Sequence, residues 1–126
     1  VTYLLDISAL MALLWENHVH NKRVTKWQEN LELAVCPLTE LGFLRISTQP
    51  SFGLSVAEAR KVVNDWRGSR KPQFIPCDME ALLSDPPSAG SKTTDFYLAS
   101  LASQHGMELA TLDEGISHKT AFLIPT

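Results

Sequence analysis

Only two cysteines, Cys36 and Cys77, occur in the 126 residues, and they form no CxxC pair. Neither a disulfide scaffold nor a zinc site built on paired thiolates is indicated. No apolar run approaches the roughly 20 residues that span a bilayer, and no signal segment is evident, so the expected setting is a reducing cytoplasm. Excess positive charge is lacking as well. A formal net charge of −3 argues against a broad basic face gripping nucleic acid through many phosphate contacts. The chain also has no P-loop, no GxGxxG turn, no HExxH helix and no DxDxT-type nucleophile motif, which sets aside the chemistries tied to them. Internal repeats, low-complexity tracts and linkers are absent, and the expectation is a single domain over residues 1–126.

A hydrophobic content of 44% suffices for a real core at this length. The β-favouring run at 2–5 ends at Asp6, and Ser8 is the expected cap of a helix burying Leu10, Met11, Leu13 and Leu14. A second helix is expected from Asn17 or His18, with Val24, Trp27 and Leu31 at helical spacing. Residues 33–36 read as a buried strand ended by Pro37, and Thr39 and Glu40 open a helix that turns Leu41, Leu44 and Ile46 inward. Ser55 and Glu58 have the spacing of a capping box for a helix carrying Ala59, Val62, Val63 and Trp66, with Gly68 as its stop. Residues 73–76 suggest a short strand, and 84–92 an irregular connection. Thr94 is the expected cap of the last helix, Gly106 its terminator, and 108–112 and 121–124 the final strands. Alternation of this kind predicts an α/β fold, a three-layer α/β/α sandwich on a mainly parallel sheet.

Ligand crevices in such sheets lie beyond the carboxyl ends of the strands. Asp6 and Asp113 fall at such ends, while Glu40 and Asp95 lie in first helical turns, where the helix dipole favours negative charge in any case. Four carboxylates gathered there need protons or cations: two of them about 4 Å apart repel by roughly 4 kcal/mol at an effective dielectric of 20. Hard oxygen ligands favour Mg²⁺ or Mn²⁺, and phosphodiester hydrolysis is the chemistry such ions serve. Assigning those four acids to a metal site turns the charge of the remainder from −3 into +1.

Leu4-Leu5-Asp6-Ile7-Ser8, Leu38-Thr39-Glu40-Leu41, Thr94-Asp95-Phe96-Tyr97 and Thr111-Leu112-Asp113 occur in this order along nearly the whole chain. Together they resemble the PIN domains, and among these the VapC-type toxins of toxin–antitoxin systems. The resemblance implies a PIN-like nuclease fold and a Mg²⁺- or Mn²⁺-dependent endoribonuclease leaving 5′-phosphate and 3′-hydroxyl ends. It implies that Asp6, Glu40, Asp95 and Asp113 hold the metal and carry catalysis, with Ser8 and Thr111 supporting them. It also implies an RNA substrate, a homodimer, and a small antitoxin protein covering the site. The alternative is a non-catalytic PIN-like module that binds protein or RNA.

Arg45 is a candidate phosphate contact, although five residues of helix separate its direction from that of Glu40. The basic stretch 67–71 is expected to be a solvated turn, and the four histidines surface or capping groups. Trp15, Trp27 and Trp66 sit on apolar helical faces, where packing outweighs base stacking.

Overall fold

The computed structural model describes residues 1–126. Five strands, β1 (Thr2–Leu5), β2 (Glu32–Val35), β3 (Gln73–Phe74), β4 (Glu108–Thr111) and β5 (Ala121–Leu123), form one sheet in the order β3-β2-β1-β4-β5. Every pairing is parallel. The helices are α1 (Ile7–Leu14), α2 (Asn21–Gln28), α3 (Pro37–Ser47), α4 (Val56–Arg70) and α5 (Thr93–Gln104). None is long and apolar enough to cross a membrane.

Alternation along the strands sends side chains to two separate cores. Leu5, Leu33 and Ala110 face a cluster built with Leu10, Val24, Phe43 and Val63, from α1, α2, α3 and α4. Leu4, Ala34 and Leu109 face the other side, packing with Leu98, Leu101 and Ala102 of α5. The expected α/β/α sandwich is therefore present, with four helices on one face and one on the other. Trp15, Trp27 and Trp66 all pack against the first cluster. Cys36 is fully buried, a small core residue at the N-cap of α3.

Several local expectations shift. Pro37 opens α3 as its first residue, the position where proline's missing N–H costs nothing. Leu41 is 60% exposed, because α3 buries Thr39, Gly42, Phe43 and Ser47 instead. The Ser55–Glu58 capping box forms in both directions, but Gly68 lies within α4, and the left-handed cap is Lys71 at φ 51°. The second helix begins only at Asn21, and α5 begins at Thr93 without a side-chain cap. Gly106, at φ +70°, ends that helix as expected.

Strand order reverses direction between β1 and β4. This is the topological switch point, where neighbouring connections leave to opposite sides and open a crevice at the carboxyl ends. Asp6 follows β1, and Asp113 stands two residues beyond β4.

Candidate active site

Asp6 continues the sheet for one residue, donating its N–H to the Ala110 carbonyl at 3.1 Å. Its Oδ1 accepts the Ala9 N–H at 2.8 Å and the Ser8 hydroxyl at 2.7 Å. Asp6, not Ser8, thus caps α1; its backbone is extended while Ser8 is already helical, and only the residue before the first turn can reach back to the free amides. Ser8 Oγ in turn accepts the Leu112 N–H at 3.2 Å, fastening the start of α1 to the end of β4. Asp6 is 3% exposed. Burial raises its carboxyl to about 6, against hydrogen bonding from Thr111, Ala9 and Ser8, and the Asp95 charge pushes in the same direction as burial.

Asp95 lies in the first turn of α5. Its carboxyl is raised by burial and then by the charge of Asp113, with Lys92 opposing. Asp113 is set by an Asx-type turn: its N–H donates to Thr111 Oγ1 at 2.9 Å, and its Oδ1 accepts the Gly115 N–H at 2.7 Å. Its Oδ2 is 3.4 Å from Lys92 Nζ. The turn is tight at Gly115, where a Cβ would stand 2.8 Å from that ammonium. Asp6, Asp95 and Asp113 line a single cleft of about 390 Å³, together with Ser8 and His18.

Glu40 is not among the residues lining it. Its Oε2 accepts from the Arg67 guanidinium at 3.1 Å, and that guanidinium also lies over the Phe74 ring, 5.2 Å from its centroid. Arg45 is exposed near the end of α3 and does not line the cleft either, although its neighbour Ile46 does. The stretch 67–71 is no free basic turn. Arg67 and Arg70 belong to the last turn of α4, and Arg70 clasps the Gln28 side chain and the Gln28 and Leu31 carbonyls.

Two residues beside the aspartates carried little signal in the sequence. Lys92 precedes Asp95 by three residues, a helical interval that hints at proximity, but the irregular segment before it gave no direction. His18 lies in the connection between α1 and α2, and burial followed by the nearby His20 lowers its pKa. The other histidines behave as capping or turn groups: His105 caps α5 and pairs with Asp78 at 2.9 Å, and His118 accepts the Thr120 N–H. A roomier apolar groove of about 450 Å³ runs past Leu38, Leu41, Cys77 and Tyr97. It contains no acid, whereas the smaller cleft gathers three.

No three His, Cys, Asp or Glu side chains stand close enough, as arranged, to ligate one ion. The cleft nevertheless holds three carboxylates, and burial disfavours the charged forms of two of them, Asp6 and Asp95. Such a set gains from an incoming cation more than from any rearrangement of its own hydrogen bonds.

The family model described as PIN domain matches residues 3–121. Ribonuclease VapC38 of Mycobacterium tuberculosis is 36% identical over 121 residues, covering 90% of this chain and 86% of its own length. Ribonuclease VapC29 of the same organism is 35% identical over 135 residues, 100% of this chain and 98% of its own. Ribonuclease VapC44 is 32% identical over 124 residues, with coverage of 90% and 87%. With the matching sheet and the acids at its switch point, these likenesses show that the chain belongs to the PIN-domain family.

Proposed function

We propose that residues 1–126 form one nuclease unit, a divalent-metal-dependent endoribonuclease acting in the cytoplasm as the toxin of a type II toxin–antitoxin pair. The observation that carries this reading is the cleft itself, where Asp6, Asp95 and Asp113 converge and burial works against the charge of two of them. The printed names of the relatives support ribonuclease activity and the toxin assignment.

The donor set fits Mg²⁺ or Mn²⁺. Mg²⁺ is usually held by one or two carboxylates, with water and substrate phosphate completing its shell, so binding does not need all three aspartates on one ion. When bound, the ion neutralises phosphate charge and makes water a stronger nucleophile. The chain's own work is positional. Ser8 and the Ala9 amide hold Asp6 in one rotamer, Thr111 fixes the turn that presents Asp113, and Lys92 balances Asp113 and Asp95. Glu40 acts from outside the cleft, through its ion pair with Arg67. A small antitoxin covers the cleft, and the exposed Leu41 with the apolar groove beside it suits protein contact in a homodimer.

Purified protein is expected to cleave RNA with Mg²⁺ or Mn²⁺, to stop in chelator, and to lose cleavage in Asp95→Asn while remaining folded. Undiminished cleavage by Asp95→Asn overturns the reading. The Glu40–Arg67 pair favours one rival, a non-catalytic binding module in which acids serve structure. Titration of Mn²⁺ into the purified chain separates them, since the module binds none.

A further inference from the structure

The acidic cleft continues into a second hollow. His18 and Phe52 line the cleft beside the aspartates, and both also line an adjoining space of about 300 Å³. Phe52 is 38% exposed, in the loop between α3 and α4. The loop is held in a defined shape: the Phe52 and Gly53 amides both donate to the Gln49 carbonyl, at 2.9 and 2.8 Å, and Gly53 takes φ +77°. Beneath Phe52 stands Trp15, edge-on, with ring centroids 5.1 Å apart and planes at 63°. Trp15 is itself anchored, since its indole N–H donates to Ser47 Oγ at 3.0 Å and its body packs on the main core. The exposed ring thus rests on a rigid support.

His18 adds a directed polar group. Its Nδ1 accepts the His20 N–H at 3.0 Å, so in the neutral ring the proton resides on Nε2, leaving that nitrogen as a donor. Hydrophobic packing has no use for a half-buried imidazole of fixed tautomer beside an exposed phenyl ring at the mouth of an acidic cleft. A flat heteroaromatic ligand uses both.

We propose that Phe52 and His18 form a nucleobase subsite. A base of single-stranded RNA next to the scissile phosphate stacks on Phe52, and His18 Nε2–H donates to an acceptor on its edge. The proposal rests on the ribonuclease reading and names the part of the substrate that reading leaves unspecified. RNA is the occupant favoured over an apolar peptide side chain because a nucleic acid strand carries phosphate and base together. A strand whose phosphate meets a cation at the three aspartates delivers a base to the adjoining hollow by its own connectivity. Stacking of this kind tolerates any base, as every base has a π-face, and its loss is felt mainly in binding.

The test is Phe52→Leu, which keeps apolar bulk but removes the ring, with Phe52→Tyr as the conservative partner. Both are assayed in the full chain with Mg²⁺ on single-stranded RNA oligonucleotides, after thermal melting has confirmed the fold. Phe52→Leu is expected to raise KM about tenfold with kcat within about twofold, and Phe52→Tyr to restore parental KM. Oligonucleotides with one abasic position moved along the strand should include one for which Phe52→Leu adds no further loss. Equal KM values for parent and Phe52→Leu, with RNA still cleaved, overturn the subsite and leave the nuclease reading intact. RNA binding that depends on Phe52 without cleavage keeps the subsite and overturns the nuclease reading. A chain that neither binds nor cleaves RNA overturns both.

Discussion

Asp6 and Glu40 both stand near the start of a helix that follows a parallel strand, yet they keep different company. Around Asp6, at the junction of β1 and β4, lie two further carboxylates and no arginine, and burial lifts its pKa to about 6. Around Glu40, near the β2–β3 edge, Arg67 supplies a countercharge and Phe74 covers the guanidinium. The second corner is electrostatically complete, whereas in the first Lys92 offsets Asp113 and Asp95 and leaves Asp6 without a countercharge. An acid left uncompensated by its own fold marks a ligand site; one that is paired marks a joint in the scaffold.

Four measurements press on that contrast. The largest difference is expected in RNA cleavage by Asp6→Asn, where losing cation-assisted charge stabilisation worth several kcal/mol lowers kcat/KM about a thousandfold or more. Stability should move the opposite way. Asp6 titrates near 6 in the folded chain against 3.8 without the fold, so the folded state holds the extra proton between those values. Stability is therefore lost as pH rises from about 4 to about 6, and it stays lost above. Asp6→Asn should raise the urea-unfolding free energy of the cation-free protein by up to about 3 kcal/mol at pH 8. The gain should vanish near pH 3.5 and shrink when Mg²⁺ is added to the parent; an equal gain at both pH values would contradict the burial argument.

The other corner is expected to answer more quietly. Glu40→Gln should lower kcat/KM about tenfold to a hundredfold, the range for groups acting from behind the ligands. A loss as large as that of Asp6→Asn would mean that the Glu40 carboxylate leaves Arg67 and enters the cleft during catalysis. Smallest of all, Arg67→Met should cost roughly 0.5–1 kcal/mol in urea unfolding, since that ion pair is part-exposed and screened.

Much of the fold was legible in the sequence, but this contrast was not, because Glu40 groups there with the other three acids. Period-two and helical spacing gave the strands and most helices, and strand ends pointed to Asp6 and Asp113 because parallel sheets concentrate ligands there. Local spacing could not reveal that Arg67, 27 residues on, reaches Glu40. Nor could it show that Gly68 continues a helix, since the packing of α4 on α1 and α3 outweighs the modest cost of glycine in a helix. Ser8 and Asp6 were both eligible caps by residue type; the backbone bend after β1 decided between them. His18 and Phe52 come from two separate connections, and no periodic signal joins them.

Gly42 lies on the buried side of α3, where an added Cβ would fall 2.4 Å from Ile7 Cδ1 and 2.5 Å from its Cγ1. Ile7 is the first residue of α1 and one wall of the aspartate cleft. The width of the cleft is therefore gauged by a methyl group that is not there: alanine at this one position would drive the Ile7 side chain aside and alter the opening without touching any charged residue.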